Sequence, residues 1–370
     1  MKIILSLFAV VFTIYSFGQS TIIPDANFEQ ALIDANFDTD GLNGSILNSD
    51  AQQVIGQLDI SYRNIDDLTG IEAFINIETL DCNGNNLTSL NLSQNTQLIA
   101  FSASYNNLTD INLDNIQSLQ SIDINNNQLD SLDFSSHPQL WYLMCYTNNL
   151  TYLNIENNTN LAYLSCGENQ LSGNLDISNL FDLEFFACIQ NQLTSINVGM
   201  HGMLTSFNCR DNNIEELDFS LCFALQQLFV DSNNLSFLNL RNNSNDILNL
   251  FESVVNPNLY CIQVDNSAFA TSNPNWSEDA QSFYSEDCAS VGISDLEYSE
   301  FKIIPNPAAN WIHIEIDNAD NMPIVLSDLN GKILLTQTLS ENEPLIDIRN
   351  LSNGIYLVKI GQTINRFVKN

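Results

Sequence analysis

Three residue types in this chain could carry chemistry: cysteine, histidine and clustered carboxylate. Cys82, Cys145, Cys166, Cys188 and Cys209 each stand three positions before an asparagine of one regular series, so they share a column. Thiols at fixed spacing suit metal or redox chemistry, but on an inward column cysteine is a small apolar filler, and that is the expectation here. Adjacent in-register strands also suit disulfide geometry poorly. Cys261 and Cys288 differ: they bracket the end of the repeats in a chain expected to be exported, and are predicted to form a disulfide. His137 and His201 share a column three repeats apart, too far to hold one ion, and are expected to be solvated turn residues; His313 stands elsewhere. Asn36-x-Asp38-x-Asp40-Gly41 begins like a calcium loop, but its twelfth position is Leu47 in place of Glu, and a turn rich in Asx hydrogen bonds is the simpler expectation. No nucleophile elbow, zinc-protease helix motif, phosphate loop or paired-cysteine zinc spacing is present. The chain is expected to hold no cofactor or metal, to have no catalytic residue, and not to be an enzyme.

The elements that position these residues follow from self-similarity. One column runs Arg63, Asn85, Asn106, Asn127, Asn148, Asn169, Asn191, Asn212 and Asn233, at spacings of 21 or 22. Two residues after each stands Ile or Leu, from Ile65 to Leu235, and five residues before most asparagines stands Leu80, Phe101, Ile122, Leu143, Leu164, Phe186, Phe207 or Leu228. The segment before each asparagine alternates with period two, which predicts one short strand per repeat with one side buried. Stacked in parallel, about nine such repeats over residues 52–265 bury collectively what none could bury alone. The asparagine sits where the strand ends and its amide is placed to satisfy backbone groups at the turn. A residue inserted near Leu171-Ser172-Gly173-Asn174 predicts a bulge. Residues 19–51 form an N-terminal cap, with Asp25 capping a helix whose Phe28, Ala31, Leu32 and Ala35 fall on one face. Residues 266–289, with Trp276 and Phe283, cap the other end.

Outward strand positions lie six, four and two residues before each ladder asparagine. They are polar early (Thr79, Asp81, Asn83) and turn aromatic and apolar in the middle: Tyr142, Met144, Tyr146, Tyr163, Phe185 and Ile189, with Phe229 two repeats on. An apolar patch rimmed by Asp and Asn on a water-facing sheet predicts a recognition surface for a protein or glycan partner. The alternative is a structural or adhesive component without a discrete ligand. A second outward column, from Asn91 and Asn112 to Asp218 and Asn239, is entirely Asn or Asp, and its regularity predicts turn hydrogen bonds.

The net charge of −34 is concentrated before residue 301, where Arg63, Arg210 and Arg241 are the basic residues after position 18. Such a surface repels phosphate backbones and anionic lipid, so nucleic acid is not an expected partner. Lys2 followed by an apolar run from Ile3 to Phe17 predicts a signal peptide over residues 1–18, with no membrane span and an exported product.

After Cys288 the repeat pattern ends. Residues 290–299 are a predicted linker, and residues 300–370 hold short alternating segments, with Asn330-Gly331 as a hairpin signal. The motifs are Pro305-Asn306-Pro307-Ala308, then Asn353-Gly354 with Tyr356 and Lys359, then a basic terminus at Arg366 and Lys369.

The repeat pattern resembles the leucine-rich repeats of short-repeat bacterial surface proteins of the Bacteroidetes, over about residues 52–265. That resemblance implies a solenoid with a parallel sheet on its concave face. The last segment resembles the type A C-terminal sorting domain of the type IX secretion system. That resemblance implies a small Ig-like β-sandwich, recognised by the secretion machinery, passing through the periplasm to the outer cell surface or the medium.

Overall fold

The computed structural model describes residues 19–288, 301–315, 323–328, 332–338, 345–360 and 363–370. The predicted signal peptide, the linker and Asn330-Gly331 lie outside the described residues. Two compact units separate at residue 290.

The first unit is the expected solenoid. Eleven strands form one parallel sheet in repeat order, from Gly56–Asp59 and Ile77–Asp81 through Tyr142–Met144, Tyr163–Ser165 and Phe185–Ala187 to Leu250–Glu252 and Trp276–Ser277. Register is strict: Leu143 stands opposite Ile122 and Leu164, and Leu164 opposite Phe186. Short parallel sheets on the return side include Tyr152–Asn154 with Ser131–Asp133, and Ser172–Asp176 with Gln192–Asn197. The inserted residue shifts the register of the latter pair between Gly173 and Asn174.

The ladder asparagines are buried and bridge repeats. Asn127 donates from Nδ2 to the carbonyls of Ala103 (2.9 Å) and Ile124 (3.2 Å) and accepts the Leu108 N–H at 2.9 Å. The residue before each ladder position has left-handed backbone, whether Gly84, Tyr105, Asn126, Thr147 or Glu168, which swings the chain out of the strand and turns the asparagine inward. The ladder runs one repeat further than the 21-residue spacing indicated. Asn256, 23 positions after Asn233, donates to Val230 and Ser253 and accepts from Leu235. The outward Asn/Asp column makes Asx turns, as Ser93 to Asn91 and Ser220 to Asp218 illustrate.

Asp25 caps the helix Ala26–Asp34 through the N–H groups of Asn27 and Phe28, and its second oxygen holds Asp66 and Asp67 of the first repeat. Phe28, Ala31 and Leu32 are buried as expected, whereas Ala35 is exposed because the helix has ended at Asp34 and Ala35 is its C-cap. At the far end Trp276 packs on Phe251, Phe269 and Tyr284 and donates to the Leu248 carbonyl at 2.9 Å. Cys261 and Cys288 are joined by a disulfide, their Cα atoms 5.7 Å apart.

The second unit is a small β-sandwich. Lys302–Ile304, Trp311–Glu315 and Leu345–Asp347 form one antiparallel sheet; Ile333–Thr338, Pro323–Asp328, Gly354–Ile360 and Thr363–Lys369 form the other. Phe301, Ile312, Ile314, Leu326, Val358 and Phe367 fill the space between. No helix among the described residues is long and apolar enough to cross a membrane.

Candidate functional site

The reactive residue types are withdrawn from solvent. The five-cysteine column is fully buried, with Cys222 as a sixth free thiol. Cys82 and Cys145 donate weakly to the Ser102 and Ser165 carbonyls. Burial pushes every thiol up, Cys166 and Cys222 to about 12, so none is a thiolate near neutral pH.

The histidines depart from expectation: both are buried, not solvated. They belong to a second inner column, Asn95, Ile116, His137, Asn158, Leu180, His201 and Cys222, whose mixed chemistry concealed it in the sequence. His137 faces the Leu113 carbonyl through Nε2 at 3.4 Å and the Ser136 hydroxyl through Nδ1 at 3.1 Å. His201 lies among the carbonyls of Val198, Leu180 and Ile177 without a well-formed hydrogen bond from either nitrogen. Burial lowers both histidines below their ordinary range. Among the described residues no three His, Cys, Asp or Glu side chains converge as metal ligands.

What remains open is the sheet face. Tyr142, Tyr163 and Phe185 stand opposite one another on three adjacent strands. Their rings form a continuous row, with centroids 5.9 Å apart for Tyr142–Tyr163 and 6.2 Å, nearly parallel, for Tyr163–Phe185. Trp141 extends it, 5.6 Å from Tyr142 and edge-on to Tyr163 at 6.2 Å, and is 42% exposed. The alternation pattern missed Trp141 because it precedes the strand. The signal available was a large aromatic beside an outward tyrosine. Glu184 accepts the Tyr163 hydroxyl at 3.3 Å. Burial, then Asp123 and the neighbouring Tyr163, raises the Tyr142 phenol.

Met144 and Tyr146 occupy the next two outward positions after Tyr142. Ile189 covers Gly167, filling the space a side chain there would need. Phe229 stands apart from the row, two strands beyond Phe185. The Arg210 guanidinium lies 4.2 Å over its ring and is itself held by Asp231 at 2.7 Å and by Glu252. On the other side the face turns acidic: Asp59, Asp81 and Asp123 lie in the row that continues into Met144. Burial first, with Asp59 and Asp123 adding to it, raises Asp81.

The tail motifs have structural partners. Pro305 and Pro307 follow cis peptide bonds on either side of Asn306. Asn306 clasps the last strand by donating to the Arg366 carbonyl (3.1 Å) and accepting from Val368 N–H (2.9 Å), while Ala308 N–H donates to the Val368 carbonyl. Gly354 opens the next-to-last strand, on which Tyr356 stacks against Phe367 and donates to Ser352; Asn353 and Lys359 are exposed.

Residues 302–370 match the secretion system C-terminal sorting domain, and residues 45–158 match the leucine-rich-repeat domain of the endo-β-N-acetylglucosaminidase EndoS. Among solved structures the chain is similar to a functional domain of InlJ from Listeria monocytogenes that includes a cysteine ladder. Identity is 18%, coverage 95% of this chain and 99% of that one, and the TM-score 0.32. An internalin C2 of the same species is 21% identical over 60% of this chain and 91% of that one, with a TM-score of 0.43. YopM from Yersinia enterocolitica is 26% identical over 51% and 38%, with a TM-score of 0.40. No curated protein matches the chain. The sorting tail marks a chain for export to the cell surface or into the medium. The chain is a leucine-rich-repeat protein carrying a type IX secretion C-terminal sorting domain.

Proposed function

We propose that the exported repeats bind a protein or glycan partner through the open sheet face and perform no chemistry on it. The observation that carries this reading is the aromatic row Trp141, Tyr142, Tyr163 and Phe185, set across in-register strands. Rigid aromatic rings present large contact area at small entropic cost, stack on sugar rings and anchor extended peptides. Buried thiols and buried histidines support the non-enzymatic part, because among the described residues of the repeats no thiol or imidazole is presented to a ligand. The sorting domain engages the secretion machinery and takes no part in ligand binding.

The test is a glycan and surface-protein binding screen of the secreted chain beside a Tyr142→Ala/Tyr163→Ala variant of unchanged circular dichroism. Loss of two anchors should weaken any ligand found by about 30-fold. Undiminished binding by the variant rejects the aromatic row as the site. A wild-type chain that binds nothing in either screen is instead a structural component of the surface.

A further inference from the structure

We infer that a second copy of this chain docks on the flank of the late repeats, through an apolar patch of Phe181, Met200, Met203, Leu221 and Phe223. These large hydrophobic residues are between 44% and 54% exposed. They sit in the loops that join return strands to the next strand of the large sheet, at residues 178–183, 199–204 and 220–225. Each loop sends one residue of the second inner column inward, Leu180, His201 or Cys222, and the patch residues flank it. The loops stack directly. His201 N–H donates to the Leu221 carbonyl at 3.3 Å, and a side-chain carbon on Gly199 would come within 2.7 Å of Ser178. The five side chains therefore share one surface, and none of them belongs to the aromatic row.

Stacking does not require apolar residues at these places. The same positions hold Asn115 and Gln117 in an early repeat and Asn157 and Thr159 in the repeat just before, and the run stops at Ser244 and Asp246. The inward residues are meanwhile unchanged: buried Leu183, Leu204 and Leu225 continue the series that includes Leu98 and Leu161. Only the outer surface differs between the early and the late repeats. Large apolar side chains gathered on the open surface of an exported chain mark a contact surface.

The charge of the patch selects the occupant. In the three loops Asp182 is the one residue among Asp, Glu, Lys and Arg, although the chain carries a net charge of −34. A basic partner would find little to pair with there, and the overall acidity turns anionic lipid away. A second copy needs no opposite charge, because the same apolar residues meet across a two-fold axis. The area fits as well. Half-exposed side chains of this size leave on the order of 400 Å² open per copy. Doubled, and set in an interface about 60% apolar, that gives about 1,300 Å² in total, within the range of specific pairings. Met200 and Met203 are flexible enough to adapt to a copy of themselves. The remaining acidic surface repels at a distance, so association should tighten as salt screens it.

The experiment is analytical sedimentation of the secreted chain from about 1 µM to about 200 µM, in about 0.15 M and about 0.5 M sodium chloride. A monomer–dimer equilibrium should result, with Kd at or below about 20 µM, tighter at the higher salt. Leu221→Asn/Phe223→Thr takes its residues from Asn157 and Thr159 of an earlier repeat, so the fold is kept, and should weaken the dimer by about 100-fold. Phe181→Thr/Met200→Asn is the second variant should the first fail to fold, and should weaken it likewise. Tyr142→Ala/Tyr163→Ala should dimerise as wild type does, which keeps this outcome separate from that of the ligand screen. The inference is overturned if wild type stays monomeric to about 200 µM at both salts, or if a folded flank variant keeps the wild-type association. Loss of the dimer in the tyrosine variant alone would move the contact to the sheet face and overturn it too. So would assembly that grows past two chains, since a two-fold contact closes on itself.

Discussion

Two inner columns run the length of the solenoid, and they obey different rules. The ladder from Asn85 to Asn256 is asparagine at every repeat, whereas the column from Asn95 to Cys222 accepts Asn, Ile, His, Leu and Cys. Both are buried, so burial does not explain the difference. The count of backbone groups does. Each ladder asparagine must donate to carbonyls of two repeats and also accept an N–H, as Asn148 does with Ile124, Cys145 and Leu129. Only a short side chain with both functions fits. In the second column Asn158 donates to the carbonyls of Phe134 and His137, but its own oxygen has no partner, and the same holds for Asn95. That column offers only acceptors, and carbonyls such as Phe134 and His137 already accept a backbone N–H, so losing the side-chain donor is tolerated more readily than leaving a buried N–H without an acceptor. Conserved chemistry is enforced where donors and acceptors must both be met.

The largest effect expected from this contrast is Asn148→Ala, which orphans the buried Leu129 N–H and takes one of two amide donors from each of the Ile124 and Cys145 carbonyls, and should cost about 3 kcal/mol in urea unfolding. Asn158→Ala orphans no group, since the Phe134 and His137 carbonyls keep the His137 and Leu140 N–H groups, and should cost about 1 kcal/mol by the same measurement. Equal losses at the two sites would break the comparison. Placing histidine sharpens it: Asn158→His should fold, as His137 and His201 do in that column, while Asn148→His should not.

Next in size is a pH effect. His137 and His201 are held below the ordinary value of 6.5, so the unfolded chain takes up protons first as pH falls. The stability present above 6.5 is therefore lost progressively as pH drops from there toward the lowered folded values. His201→Asn should flatten the melting temperature between pH 7 and pH 5 relative to wild type; an unchanged slope would remove the histidine from that account. The smallest effect belongs to the left-handed position before the ladder. Thr147, a β-branched residue at a φ of 53°, should be improved by Thr147→Asn by about 0.5 kcal/mol, since Asn126 occupies the same place one repeat earlier.

What could be read from the chain divides along the same line. The ladder, the strand phase, the Asp25 cap, the Gly173 bulge and the Cys261–Cys288 pair were legible because each depends on one residue type at a fixed distance. The second column was not, since several chemistries satisfy it, and the histidines were therefore placed in solvent. Nor were the left-handed residues, where Tyr105, Thr147 and Glu168 adopt a conformation imposed by stacking and not by their own preference. At the candidate face the tyrosine row followed from phase. Trp141 preceded the alternation, and the Arg210 cover on Phe229 required knowing which strands adjoin.

The buried thiol column sets a condition on the order of events during export. Eight cysteines present on the order of a hundred complete pairings to an oxidising compartment, yet only Cys261 and Cys288 are joined and six thiols remain free. Those six are protected solely by being inside, and a chain that meets oxidant before its repeats have stacked exposes all of them at once. Coiling must therefore outrun oxidation, and the spacing of thiols along the interior makes this solenoid a record of how quickly it closes.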